Sequence, residues 1–176
     1  AVRRGPLFEG LPTLEAHRSV LPSAAFVDLS QRFGLDEIFL GDPGISEREA
    51  GFIDPYCRER IISVPAALDD KYQHLYDRVF TCRVDSPKWL VRFQESRTYS
   101  CQGDAVEPAN CVCRHRGVIT IDNRNYGRYS GEVMMIRRDL PADPRVNVIG
   151  SVPENAYLLM DNIRRGQKFT LVRMDG

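Results

Sequence analysis

Six short segments in the last two thirds of the chain carry the apolar pattern of β-strands, and this pattern most constrains the fold. The segments are 79–84, 89–93, 117–122, 132–137, 146–152 and 168–172. Turns rich in Gly, Pro, Asn and Asp separate them, a spacing typical of an antiparallel barrel or sandwich. One helix interrupts the series, because Ala156, Leu159, Met160 and Ile163 follow a helical period and Gly166 follows as a cap.

The first 54 residues have a different pattern, typical of an α/β unit. A helix is predicted over 23–33, a short buried strand over 37–40, and a second helix from Ser46, where Glu49 completes a capping box. A buried strand between helices belongs in a parallel sheet, which needs several such strands. We therefore interpret 1–54 as the last part of a larger α/β domain whose front is absent, and 55–176 as a separate β-rich domain.

Composition excludes several classes of protein. The 24 basic and 24 acidic residues balance, which argues against a general nucleic-acid binder. No apolar run is long enough to span a membrane, and the start lacks the apolar region of a signal peptide. The five cysteines are then expected to be free thiols in a reducing cytoplasm. Arginine outnumbers lysine 21 to 3, which fits recognition of phosphate or carboxylate but also fits codon bias.

Two stretches of the first 54 residues are candidates for a site. The turn 41–44 follows the predicted strand and precedes a helix, and α/β barrels hold their chemistry at that end of the strands. Asp42 is therefore a candidate catalytic carboxylate; alternatively, it only satisfies the backbone of the turn. The loop 3–10 contains Arg3 and Arg4 and could bind an anion or a sugar, or be a surface linker.

The loop 122–129 is the strongest candidate in the β-rich part, because it concentrates polar groups, Arg side chains and two tyrosines. Such a loop could hold a sugar and an anion, or could be a polar hairpin turn. Glycoside hydrolysis needs two carboxyl groups, and Glu9, Asp42, Asp122 and Glu132 are available, although Glu132 could equally point into water. We expect no metal site, because strand alternation would splay the side chains of 111–115, and buried thiols are the better interpretation.

Long stretches of the chain resemble one family. They are RGPLFEGLPTLEAHR at 4–18, LDEIFLGDPGIS at 35–46, GVITIDNRNYGRYSG at 117–131, DLPADPRVNVIG at 139–150 and IRRGQKF at 163–169. Together they resemble the C-terminal part of the bacterial 6-phospho-N-acetylmuramidases of the MupG type. The resemblance implies a mainly β fold: a cyclophilin-like antiparallel β-barrel over 55–176, preceded by the final α/β segment of a truncated TIM barrel over 1–54.

The same resemblance implies a function in peptidoglycan recycling, the cleavage of 6-phospho-N-acetylmuramyl sugars in the cytoplasm. The residues that match family motifs and are expected to bind substrate are Arg4, Glu9, Asp122, Asn123, Tyr126, Arg128 and Tyr129. The expected ligand is a phosphorylated amino sugar, with no cofactor, nucleic acid or membrane partner. The missing barrel portion or a second chain is expected to cover 1–54, and the chain alone should be inactive. The alternatives are a non-catalytic binding module and a structural brace for the barrel.

Overall fold

The computed structural model describes residues 3–100 and 105–174, with the backbone alone for 98–100. Within them one sheet contains seven strands: β1 Ile62–Leu68, β2 Val79–Thr81, β3 Leu90–Arg92, β4 Val118–Asp122, β5 Val133–Ile136, β6 Val146–Ser151 and β7 Lys168–Arg173. Four α-helices accompany it: α1 Pro22–Arg32, α2 Glu47–Glu59, α3 Gln94–Ser100 and α4 Tyr157–Asn162. Short 3-10 helices cover Glu15–His17, Asp70–Leu75, Arg124–Tyr129 and Glu154–Ala156.

The sheet is mixed rather than antiparallel throughout. The strand order is β2-β7-β1-β6-β4-β5-β3, and β1 runs parallel to β7 while the other pairs are antiparallel. The prediction of an all-antiparallel arrangement is therefore wrong at one pair. Strand β1 was not predicted at all, although it is buried at six of its seven positions. Its Pro65 removes a backbone donor, which normally argues against a central strand.

The two outer strands of the sheet meet at one end. Cys82, just after β2, forms a β-bridge with Phe93, just after β3, and the Arg83 backbone N–H donates to the Arg92 carbonyl at 2.9 Å. Beneath this junction Phe80, Phe93 and Phe169 pack together, with ring centroids 4.7–5.9 Å apart. The alternation of apolar residues predicted over 79–84 stops at this junction, because Val84 is exposed instead of buried. The bridge between Cys82 and Phe93 thus joins β2 to β3 at this end of the sheet.

The N-terminal helices pack against the β-rich part. Helix α1 confirms the predicted 23–33 helix and buries Ala24 and Val27 in the core shared with the sheet and α4. Helix α2 begins at the predicted cap, where Ser46 Oγ accepts from the Glu49 N–H at 3.2 Å. It continues to Glu59 and so crosses the predicted boundary between 54 and 55. Helix α1 therefore contributes to the core of the β-rich part.

The predicted strand over 37–40 is wrong. The segment belongs to no strand or helix, and Phe39 is 86% exposed. A strand forms only by hydrogen bonding to a neighbour, and the described part of the chain pairs no strand with this segment. Leu40 is exposed as well, and so are Leu7, Phe8 and Leu11 in the N-terminal loop.

Candidate functional site

Two residues, Asn123 and Gly127, determine the shape of the loop that follows β4. Asn123 is fully buried, and its side chain accepts from the Asn125 N–H at 3.0 Å and donates to the Asn147 Oδ1 at 2.8 Å. Gly127 has φ 60° and ψ −123°, a conformation that only glycine adopts without strain, and it divides the 3-10 segment into two turns. Asn123 therefore holds the loop, and its amide faces the protein interior.

A cavity of about 360 Å³ opens beside this loop, and we call it the Asp122 cavity. Its polar walls come from Arg92, Arg114, Asp122, Tyr126 and Tyr129. Its remaining lining residues are Pro87, Leu90, Thr120, Met134, Ile136 and Val146. The two tyrosine rings are perpendicular, with centroids 5.6 Å apart. The volume lies at the lower end of the roughly 300–1,000 Å³ of small-molecule sites, and the lining combines apolar walls with a few polar groups as such sites do.

Asp122 is the acidic residue among those that line the cavity, and its pKa is shifted strongly. Burial raises the pKa of its carboxyl, the nearby Glu132 carboxylate adds to the rise, Arg92 and Arg114 oppose it, and the resulting pKa is about 7. Its Oδ1 atom is buried and has no hydrogen-bond partner among the described residues. Near neutral pH the carboxyl is therefore present in both forms, so that it can accept or donate a hydrogen bond to a ligand.

Glu132 lies behind the cavity and anchors one of its arginines. Its Oε2 accepts from Arg83 at 3.0 Å and from Arg92 at 2.8 Å, while Asp85 pairs with the same two guanidinium groups from the surface. The Glu132 side chain is 3% exposed, so the interpretation that it points into water is wrong. The two arginines neutralise it, which makes burial of this carboxylate possible.

Sequence reasoning did not single out Arg83, Arg92 or Arg114. Each lies outside the recognised motifs, and Glu132, the buried partner of Arg83 and Arg92, is 49 and 40 residues away from them in the chain. The one available signal was the excess of arginine over lysine, because a planar guanidinium can pair with two acceptors at once.

The other predicted residues of this loop lie around the rim. Arg128 is exposed, and its guanidinium donates to the Tyr129 hydroxyl at 2.8 Å. The Arg145 guanidinium lies 4.4 Å from the centroid of the Tyr126 ring. The Arg145 side chain donates two hydrogen bonds to Asp143 and its backbone N–H donates a third, and these hold the pKa of that carboxyl down at about 2. The rim thus presents aromatic faces and guanidinium groups close together.

The structure also brings together the predicted residues of the N-terminal segment. A second cavity, of about 520 Å³, is lined by Glu9 and Asp42 together with Arg3 and Arg18, and we call it the N-terminal cavity. The Arg4 backbone N–H donates to Asp42 Oδ1 at 2.9 Å. Asp42 therefore binds the backbone of the loop, as the structural interpretation of this residue predicted. It also lines the N-terminal cavity. The two cavities share no lining residue.

The cysteine segment shows no sign of a strand or a metal site. Residues 111–115 are irregular apart from a bridge between Arg114 and Leu140, and Cys113 is exposed, so the expectation of buried thiols is wrong there. Over 3–100 and 105–174 we find no group of three or more His, Cys, Asp or Glu side chains that could hold a metal ion. The helices in the same ranges include none with the length and apolar character needed to cross a membrane.

The fold and its motifs match one protein family. Residues 62–172 match the family described as 6-phospho-N-acetylmuramidase, C-terminal, and residues 1–54 match 6-phospho-N-acetylmuramidase, N-terminal. The chain belongs to the 6-phospho-N-acetylmuramidase family.

Two solved structures share the fold of this chain. A conserved Enterococcus faecalis protein with an unknown function is 32% identical, with a TM-score of 0.85 over 99% of this chain and 47% of its own. An uncharacterized B. cereus protein has the same fold, with 24% identity, a TM-score of 0.77, and coverage of 98% of this chain and 50% of its own. The chain thus spans about half the length of these relatives. The comparison with curated proteins found no match.

Proposed function

We propose that this chain takes part in hydrolysis of the glycosidic bond of 6-phospho-N-acetylmuramyl sugars during peptidoglycan recycling in the cytoplasm. The observation that carries the proposal is the Asp122 cavity, where two arginines and two tyrosine rings surround a carboxyl group whose buried Oδ1 has no hydrogen-bond partner in the described part of the chain. Membership of the 6-phospho-N-acetylmuramidase family supplies the reaction class.

Each wall of the Asp122 cavity suits one part of such a ligand. The guanidinium groups of Arg92 and Arg114 can hold the phosphate or the lactyl carboxylate of the sugar. The rings of Tyr126 and Tyr129 offer apolar faces and hydroxyl groups to the sugar itself. Asp122 can hydrogen-bond a sugar hydroxyl or amide in either protonation state. This part of the chain therefore binds the phosphorylated amino sugar in our proposal, without a cofactor.

We further propose the arrangement of domains. Residues 55–176 form a cyclophilin-like barrel, which is supported by the bridge between Cys82 and Phe93 that joins the outer strands. Residues 1–54 correspond to the final part of a TIM-type barrel, and the exposed apolar side chains of 7–11 and 35–40 are where the rest of that barrel packs. Asp42 in the N-terminal cavity is the candidate catalytic carboxylate, and bond cleavage requires the completed barrel. The chain by itself is then inactive.

An amide NMR titration of the chain with 6-phospho-N-acetylmuramic acid tests this proposal. The expected result is a set of saturable shifts at 122–129 and at the amides of Arg92 and Arg114. Unphosphorylated N-acetylmuramic acid serves as the matched control and should bind more weakly, since it lacks one anion. A well-folded sample without shifts at these positions contradicts the role of the Asp122 cavity.

A structural brace is the second candidate, and the contact between α1 and α4 favours it. Gln31 of α1 donates to the Asn162 carbonyl of α4 at 2.9 Å, and Arg164 reaches the Gln31 carbonyl at 2.6 Å. If the β-rich part only braces the barrel, substitutions in the Asp122 cavity of the full-length enzyme should change the melting temperature alone. Loss of substrate affinity at an unchanged melting temperature argues for a binding site instead.

A further inference from the structure

A third cavity, of about 850 Å³, lies where the N-terminal helices meet the turn between α4 and β7, and we call it the junction cavity. Its walls come from α1, from 34–38, from the end of α2 and from 164–168. It shares no charged residue with the Asp122 cavity or the N-terminal cavity. Its volume lies within the roughly 300–1,000 Å³ of small-molecule sites, so the junction cavity is large enough for a ligand of its own.

The junction cavity carries a surplus of positive charge. The charged residues that line it are Asp36, Glu59, Arg60, Arg164, Arg165 and Lys168. None of these six forms an ion pair with another residue of the described ranges, whereas arginines elsewhere, such as Arg116 and Arg145, pair with carboxylates. Four basic and two acidic residues leave a surplus of two positive charges, which attracts anions.

Hydrogen bonds hold two of these arginines beside the same stretch of α1. Arg60 donates to Ser30 Oγ at 3.3 Å, and Arg164 donates to the Gln31 carbonyl at 2.6 Å. The side-chain amide of Gln167 donates to the Arg60 carbonyl and so ties the end of α2 to the turn that carries Arg164. Each guanidinium group keeps further N–H donors, because these bonds use only one of its several. Two arginines are therefore positioned in advance and can still bind a ligand.

The turn between α4 and β7 supplies the other positive charges. The Gln167 N–H donates to the Arg164 carbonyl at 2.9 Å and closes the turn, and Gly166 has φ 77°, which favours glycine. Arg165 lies within the turn and Lys168 begins β7, and both are exposed. The turn thus places three cations within five consecutive residues at one side of the cavity.

The charge and geometry of the junction cavity favour one kind of anion. A guanidinium group pairs with a phosphate or a carboxylate through two parallel hydrogen bonds. A phosphate group carries about 1.5–2 negative charges near neutral pH, whereas a carboxylate carries one. A phosphate therefore matches both the two positioned arginines and the surplus of two positive charges more closely than a carboxylate does.

We propose that the junction cavity binds a phosphate group through the guanidinium groups of Arg60 and Arg164, with Arg165 and Lys168 adding positive charge. This site is separate from the sugar site of the proposed function and does not depend on it. A phosphate held in this way contacts both the end of α2 and the turn before β7. It therefore stabilises the packing of the N-terminal helices on the β-rich part.

An NMR titration with inorganic phosphate near neutral pH and at constant ionic strength tests the proposal. We expect saturable shifts at the amides of 164–168 and at the Nε signals of Arg60 and Arg164. The absence of saturable shifts at these positions, or equal shifts with chloride, overturns the proposal. Shifts confined to 122–129 also overturn it, but they leave the Asp122 cavity as the anion site of the proposed function.

A matched pair of arginine variants tests the assignment to residues. R164Q should weaken phosphate binding about tenfold or more, since a hydrogen bond to a charged group is lost. R138Q removes the same charge from an exposed arginine that lines none of the three cavities, and it should leave the affinity nearly unchanged. R60Q serves as a second variant if R164Q does not fold. Equal weakening by the cavity variant and by R138Q overturns the assignment.

Two further probes distinguish free phosphate from a phosphate ester as the ligand. Glucose 6-phosphate carries the same group on a sugar, and glucose lacks it. Tighter binding of glucose 6-phosphate than of inorganic phosphate at 164–168 supports an ester as the ligand, and equal binding supports recognition of the phosphate group alone. Glucose that binds there as tightly as glucose 6-phosphate overturns the proposal.

Discussion

The Glu49 carboxylate of α2 accepts a hydrogen bond from the backbone N–H of Ser23 at 2.9 Å and so caps the start of α1. Helix α1 has no side-chain cap of its own, because Leu21 occupies its N-cap position. The capping box predicted at Ser46 is therefore only half formed: Ser46 binds the Glu49 backbone, while the Glu49 side chain serves a different helix.

We predict that E49A destabilises the protein by about 0.5–2 kcal/mol, the range found when a helix loses its cap. The isosteric E49Q keeps an acceptor oxygen and should lose less. Urea unfolding of both variants measures the difference. Equal losses would show that the negative charge, rather than the hydrogen bond, stabilises the start of α1.

Glu132 and Asp85 provide a matched pair, because they bind the same two arginines at different depths. Glu132 is 3% exposed and Asp85 is 52% exposed. We predict that E132Q costs about 3–5 kcal/mol, since it leaves Arg83 and Arg92 without their buried counter-charge. D85N should cost about 1 kcal/mol or less, as surface ion pairs do. A D85N variant as unstable as E132Q in chemical unfolding contradicts this assignment.

Asp122 should make stability depend on pH. Its pKa of about 7 in the folded protein lies above its ordinary value of 3.8, so the folded state holds a proton that the unfolded state releases. Its contribution to stability is therefore complete below pH 4 and is lost as the pH rises to about 7, by about 1.4 kcal/mol per pH unit at most. D122N lacks this loss. Unfolding free energies of both proteins between pH 4 and 8 should diverge; parallel curves contradict a raised pKa.

Arg114 should contribute to ligand affinity. We predict that R114Q weakens binding of 6-phospho-N-acetylmuramic acid about tenfold or more, since a hydrogen bond to a charged group contributes about 1.5–3 kcal/mol. R124Q is the control, because Arg124 is exposed, pairs with Glu107 and does not line the Asp122 cavity. Calorimetry of both variants, with melting temperatures recorded alongside, makes the comparison. A similar loss in R124Q would indicate a general charge effect.

Local patterns predicted the elements whose stability is local. The helical period and Gly34, which follows it, located α1. Turn residues correctly separated the strands from β4 to β7. The segment 37–40 failed because its apolar pattern says nothing about whether a partner strand is present. Strand β1 was missed because Pro65 masks a central strand whose burial depends on β6 and β7, which are distant in sequence.

The candidate site follows the same division. The turn chemistry of 122–129 was visible in the sequence, and it does form one wall of a cavity. Arg92 and Arg114 line the same cavity, and the contact of Arg92 with Glu132 links positions 40 residues apart. Charge pairs of this kind have no period that a single sequence reveals.

The position of β7 has a consequence for how the sheet can assemble. Strand β7, near the C-terminal end of the chain, lies between β1 and β2. It pairs with Ile62 of β1 and with Val79 of β2. The hairpin-like neighbours β4 and β5 can form early, whereas β2 cannot join β1 until this late segment arrives between them. A deletion of 168–173 would therefore separate β2 from β1, whereas loss of β3, which is an edge strand, would only narrow the sheet.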